Sequence, residues 1–238
     1  RGIQFVNIPT TLLGMVDASI GGKTGIDLNG IKNIIGTFQF ARLVLIDVEF
    51  LNSLSKKQIA AGYAEMIKHS LIDNNYEWEK ISKINSLEDI NHEMIYKSIN
   101  IKVGIIESDP MELNIRKHLN FGHTLGHAIE TYLLGSEREI LHGEAIAIGL
   151  ILETYISYLK RNFDLKLTKE IKNHINQHYE ILEFSEESII KIIGLLKYDK
   201  KNNNDEPMFV LLNNVGEMTI NQPVGIEQIK EAFKFYQN

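Results

Sequence analysis

The chain has 238 residues, 44% of them hydrophobic and 24% charged, with no cysteine. That length and balance give a folded globule of one large or two small domains and exclude disordered, collagen-like and coiled-coil classes. Its 25 basic and 31 acidic side chains leave a net charge of -6, so there is no global basic field for nucleic acid or an anionic membrane. Any anionic ligand must be held by a few local cations, and neither a disulfide framework nor a thiolate metal site can form.

Arg1-Gly2 runs straight into Ile3-Gln4-Phe5-Val6-Asn7-Ile8, an alternation that reads as a strand already under way. The sequence therefore reads as the later part of a longer polypeptide. Residues 5–9 and 43–48 are expected as two short strands. A glycine-rich stretch lies between them, from Gly21-Gly22-Lys23-Thr24-Gly25 to Gly30 and Gly36, expected as tight turns. Ser55, with Gln58 three residues on, has capping-box spacing and starts a helix. From there to about residue 200 the patterns are mostly helical. Ile95, Ile99, Val103 and Ile106 recur at helical spacing until Asp109-Pro110 stops the run. Residues 142–155 are apolar nearly all round, as in a helix buried inside a bundle. Residues 208–212 and 217–220 flank Asn213-Asn214-Val215-Gly216 as a hairpin, and 226–236 make a last helix. No apolar run approaches a membrane span. The expected organisation is an α/β remnant over 1–54, followed by a mainly α-helical domain over 55–238 with a small C-terminal hairpin.

Gly21-Gly22-Lys23-Thr24 invites a P-loop reading, but that motif needs glycine six residues before the lysine, and Asp17 stands there. What remains is a glycine turn beside a lysine, repeated in Gly30-Ile31-Lys32-Asn33. Two lysines on such turns suit a phosphate or a carboxylate; a pair of solvated lysines is the competing reading. His123 and His127 are four apart and share a helix face. The zinc-protease helix wants glutamate after the first histidine, and the residue is Thr124. A buried, hydrogen-bonded histidine pair is equally compatible. His142-Gly143-Glu144 opens the buried helix, where an imidazole must be ligated or hydrogen-bonded. Glu65 sits among small and apolar neighbours, so its carboxylate must be paired or metal-bound if buried. Lys68, three residues on, offers an ordinary intrahelical ion pair. Lys102, between Ile99 and Ile106, reads as a lysine whose stem snorkels.

Taken together, these segments resemble the 3-dehydroquinate synthase family. The match is carried by residues 9–13, Asp17-Ala18-Ser19-Ile20-Gly21-Gly22-Lys23-Thr24-Gly25, Gly30-Ile31-Lys32-Asn33, Gly62-Tyr63-Ala64-Glu65-Met66-Ile67-Lys68, residues 119–130 and Leu141-His142-Gly143-Glu144-Ala145. Six blocks in family order make it specific; after about residue 155 it is loose. The resemblance implies a dehydroquinate synthase-like fold with a multi-helical C-terminal domain. It also implies a cytoplasmic homodimeric lyase that takes a phosphorylated keto-sugar acid, with no nucleic-acid or membrane partner. NAD would oxidise a hydroxyl transiently, phosphate would leave, and re-reduction and aldol closure would form a carbocycle.

By the same resemblance Glu65, His123 and His142 hold zinc or cobalt, a set that leaves an open position as catalytic zinc requires. Lys23, Lys68, Lys102, Arg116, Asn120, His127 and a lysine of Lys200-Lys201 would hold the substrate's phosphate and carboxylate. Thr10, Thr11, Asp17, Lys23, Lys32, Asn33, Phe50, Leu51, Asn52 and Ser53 would contact NAD, and Arg1 would reach the partner subunit. The family's NAD pyrophosphate turn would lie upstream of Arg1, so these 238 residues alone are expected to be inactive. Three positions depart from the pattern. Asp109-Pro110-Met111-Glu112 replaces the usual Asp-Glu-Arg-Glu, Asn114 replaces a glycine, and residues 135–139 lengthen a surface loop. Another sugar phosphate cyclase is the alternative within the superfamily. A plain metal-dependent alcohol dehydrogenase is the other, though it needs no lysine cluster.

Overall fold

The computed structural model describes residues 3–28, 31–73, 77–196 and 207–238. Arg1, Lys200 and Lys201 lie outside these, as do the side chains of Lys32 and Asn33.

Strand β1 (Val6–Asn7) pairs in parallel with β4 (Leu43–Val44). Both are shorter than their sequence patterns. Pro9 cannot donate to a ladder, and Asp47 ends the second run by accepting the Glu49 amide at 3.0 Å, which starts the helical turn Val48–Ser53.

The glycine-rich stretch between them is not a set of loops. It forms an antiparallel pair, β2 (Lys23–Leu28) with β3 (Ile31–Phe38), so Lys23 and Lys32 stand on strands. Gly25 lies opposite Gly36, and the Thr24 and Thr37 hydroxyls meet at 2.8 Å. Such cross-strand threonine pairs and β-branched neighbours stabilise a ladder that glycine content alone argues against.

Helix α1 (Lys56–Ile72) begins at Ser55, whose hydroxyl accepts the Gln58 amide. Every residue from Ala60 to Ile72 is buried, so α1 is enclosed on all sides. The short α2 (Glu77–Ile81) follows, then α3 (His92–Ser108), capped by Asn91 on the amides of Glu93 and Met94. Next come α4 (His123–Leu133) and α5 (His142–Arg161). The last runs past its expected end to Asn162, which closes it in the left-handed region at φ 57°.

Helix α6 (Leu165–His178), the hairpin β5 (Met208–Asn214) with β6 (Glu217–Pro223), through β5, and α8 (Ile226–Gln237) pack on α5, and α7 (Glu186–Leu195) packs on α4 and α8. The backbones of α1 and α5 come close enough that a Cβ on Gly143 would overlap the Ala61 main chain. One continuous apolar core joins Leu12 and Val16 with Tyr63, Ile67, Phe121, Leu150 and Phe233. Among the described residues no helix is long and apolar enough to cross a membrane.

Candidate metal and anion site

Three helices converge at the centre of this core. Glu65 comes from the middle of α1, His123 from the first position of α4 and His142 from the first position of α5. Glu65 is 0% exposed, and its Oε1 lies 3.4 Å from His123 Nε2 and 3.6 Å from His142 Nε2. That oxygen makes no hydrogen bond. The other rings' nitrogens are spoken for: His123 Nδ1–H donates to the Phe121 carbonyl, and His142 Nδ1–H donates to Glu130 Oε2, both at 3.1 Å. Each Nε2 therefore turns a lone pair toward Glu65 when its ring is neutral.

A buried carboxylate oxygen with no hydrogen bond is unfavourable by itself. The residues fit a divalent cation: one oxygen and two nitrogen donors are the set that zinc or cobalt takes. His127 stands beside them, and the ligand nitrogens of His123, His127 and His142 fall within 4.8 Å of one another. Burial lowers the affinity of His142 for a proton, but the carboxylates of Glu130 and Glu65 more than reverse this and raise its pKa to about 9. Proton and cation thus compete for the same ring.

Around this group lies a ring of charge. Lys68 is ion-paired with Glu65, and both are buried; it is not the exposed pair the i,i+3 spacing describes. Lys102 does not snorkel. Its Nζ is buried and donates to Asp17 through both the backbone carbonyl and Oδ1, each at 2.6 Å. Burial alone would raise the Asp17 pKa, but the Lys102 and Lys68 ammoniums hold it down at about 2. Asp17 sits in the helical turn Gly14–Ala18, whose start is tied by Thr11 Oγ1 accepting the Gly14 amide.

Other expected residues are engaged differently. Arg116 is buried with Nη2 on the Gly21 carbonyl at 2.6 Å and Nη1 on the Pro110 carbonyl at 2.5 Å. Lys23 Nζ and Asn120 Nδ2 both bind the Glu112 carboxylate. Thr10 is exposed, and the turn holding Phe50, Leu51, Asn52 and Ser53 is closed on itself by Ser53 to the Phe50 carbonyl and Asn52 to Glu49. No described hydrogen bond or ion pair joins those residues to the Glu65 group.

Three glutamates that neither spacing nor the resemblance assigns to the site belong to this region. Glu112 binds Lys23 and Asn120, and Glu130 orients His142. Glu153 of α5 accepts the amides of Gly122 and Leu125 beside His123. Glu130 shares its motif with His123 and was legible as a nearby acid. Glu153 carried no local signal beyond being an acid in an apolar helix.

Comparison with known proteins agrees in both halves of the chain. Residues 1–61 match the family model for the 3-dehydroquinate synthase N-terminal region, and residues 62–202 match the C-terminal one. The 3-dehydroquinate synthase of Parabacteroides distasonis is 42% identical over 239 residues, covering 99% of this chain and 68% of that protein. The Pelagibacter ubique enzyme is 41% identical over 91% of this chain and 61% of its own length. The chain thus spans about two thirds of the curated relatives it matches.

A 2-deoxy-scyllo-inosose synthase, complexed with carbaglucose-6-phosphate, NAD+ and Co2+, superposes with a TM-score of 0.84 at 27% identity, over 99% of this chain and 67% of that one. ValA, a 2-epi-5-epi-valiolone synthase from Streptomyces hygroscopicus, shares the fold at a TM-score of 0.80 and 23% identity, over 98% of this chain and 66% of its own. On the sequence relationship and the shared fold, this chain belongs to the 3-dehydroquinate synthase family.

Proposed function

We propose that this chain carries the metal and substrate site of a 3-dehydroquinate synthase. The reaction converts 3-deoxy-D-arabino-heptulosonate 7-phosphate to 3-dehydroquinate and phosphate. The observation that carries this reading is the buried Glu65 carboxylate facing His123 and His142 inside a ring of lysines. Glu65, His123 and His142 hold zinc or cobalt. When bound, NAD would supply reversible oxidation of the substrate alcohol, and the ion would make that hydroxyl more acidic, as zinc does for bound water.

The protein's own groups bind and orient. Lys68 balances Glu65, and Lys102 with Asp17 presents a fixed charge pair beside it. Lys23 and Asn120 already bind a carboxylate, that of Glu112, which supports their use on an anionic substrate. His127 and one of Lys200 and Lys201 complete the oxyanion contacts, lysine as a point charge, and Arg116 joins them once its Nη groups leave the Gly21 and Pro110 carbonyls they hold here. Thr10, Thr11, Asp17, Lys32, Asn33 and the 50–53 turn contact NAD. The same reading has the protein acting in the cytoplasm as a homodimer.

Phosphate release from the heptulosonate phosphate by the full-length protein, measured before and after exhaustive chelation, tests the proposal. Chelation should abolish it, and zinc or cobalt should restore it. Undiminished turnover without metal overturns the metal role. Preference for a sugar phosphate lacking the carboxylate assigns the chain to another cyclase reaction, such as that of its 2-deoxy-scyllo-inosose synthase neighbour.

A further inference from the structure

Glu153 lies on α5 about three turns beyond His142. It is 0% exposed and belongs to none of the motifs that carry the family resemblance. Its Oε2 accepts the Gly122 amide at 2.7 Å, and its Oε1 accepts the Leu125 amide at 3.0 Å. Gly122 is the N-cap of α4, at φ 79°, and has no side chain with which to cap it. No other residue fits there, because a Cβ would collide with Leu150. Glu153 therefore does from a neighbouring helix what aspartate or serine does from the cap itself. A carboxylate at a helix N-terminus is further favoured by the helix dipole.

The consequence reaches His123 through one peptide bond. The Gly122 N–H and the Phe121 C=O belong to the same planar unit. Pinning the N–H on Glu153 therefore sets the direction of the C=O. That carbonyl accepts His123 Nδ1–H at 3.1 Å. With the proton held on Nδ1, Nε2 is left as the acceptor, and Nε2 is the atom 3.4 Å from Glu65. His142 is held by a separate acceptor, Glu130, so the two rings are oriented independently.

We propose that Glu153 is a positioning residue that fixes the tautomer and direction of the His123 ring through the Phe121–Gly122 peptide. Its meaning for metal binding rests on the reading of His123 as a ligand. Such outer partners of metal-binding histidines are worth roughly 10–100-fold in metal affinity.

The test uses the full chain labelled with 15N-histidine, as wild type, Glu153→Gln and Glu153→Asp. The first variant swaps one acceptor oxygen for a donor. The second keeps the charge but is too short to span both amides, and it serves if the first does not fold. Ring 15N–1H correlation spectra should show His123 protonated on Nδ1 in the wild type and shifted toward the Nε2-protonated form in the variants. The His142 and His174 rings should keep their signals, which a general loosening of the fold would not allow. Cobalt titration should show the dissociation constant rising tenfold or more.

An unchanged His123 spectrum in a folded variant overturns the proposal, as do equal shifts in all three rings. A changed tautomer with wild-type cobalt affinity overturns the link to the metal. A wild-type chain that binds no cobalt, yet shows the His123 change, supports the positioning role and removes the metal reading.

Discussion

Lys102 Nζ donates to both the main-chain carbonyl and the side-chain Oδ1 of Asp17, at 2.6 Å each, across 85 positions of sequence. The bond joins the middle of α3 to the helical turn before β2. It converts a lysine that local pattern assigns to a snorkelling surface role into a buried member of a charge pair.

Replacing Lys102 by methionine leaves the Asp17 carboxylate in place with Lys68 at 3.7 Å as its nearest remaining cation. Breaking a buried pair on one side costs about 3–5 kcal/mol, and the remaining lysine puts the expected loss at the lower end. The sign with pH follows from the depressed Asp17 pKa of about 2. The pair's stabilisation is present above the ordinary carboxylate range and is lost as pH falls toward 2. Urea unfolding should therefore show the wild-type advantage over Lys102→Met at pH 7, shrinking between about pH 4 and pH 2.

Glu130→Gln keeps a hydrogen-bond acceptor for His142 Nδ1 but removes the charge. Metal affinity should fall by about 10–100-fold, and the metal-free protein should unfold at a lower midpoint near neutral pH, because the raised His142 pKa that Glu130 supports stabilises the folded state there. Calorimetric zinc titration of the two proteins checks it. Equal affinities would mean that the 3.1 Å contact has no hold on the ring.

His174 is buried on α6, shares a 2.8 Å hydrogen bond with the Tyr63 hydroxyl and packs against Trp78 and His178. Burial, with His178 adding to it, lowers its pKa from 6.5 to about 4. The unfolded chain binds a proton there before the folded one does. Stability should therefore decline as pH drops from about 6.5 to 4 and level off below. His174→Asn, which does not titrate, should show a shallower decline in thermal unfolding across that window, alongside a lower midpoint at neutral pH.

Gly143→Ala places a methyl where the Ala61 main chain of α1 now lies. Overpacking of a core costs about 1–3 kcal/mol, and here backbone, not a side chain, must yield. The variant should unfold several degrees lower. It should also bind zinc more weakly than a control alanine at the exposed Gly104, where nothing lies within 4 Å, since separating α1 from α5 moves Glu65 away from His142.

Much of the architecture follows from local chemistry. Ser55 starts α1 because its hydroxyl can take an orphan amide, Asp109-Pro110 stops α3 because proline cannot continue a helix, and α5 is buried because it is apolar all round. The candidate donors Glu65, His123 and His142 sit in short motifs that carry the family resemblance, whereas their spacing alone leaves a hydrogen-bonded reading open. Gly21 and Gly22 do form a turn, at φ 105° and 67°, but from Lys23 on glycine content misleads, because pairing of Thr24 with Thr37 and Gly25 with Gly36 exists only once two segments meet.

By itself, then, the order of residues determined where α1, α3, α5 and α8 form and which side chains could ligate. Which of those side chains have partners was decided only in three dimensions. The bonds of Lys102 to Asp17, Lys23 to Glu112 and Glu153 to the α4 amides span distant segments. Desolvation makes each of them matter only after the helices have closed around it. The same closure turns the Glu65–Lys68 pair from a minor surface contact into a buried ion pair.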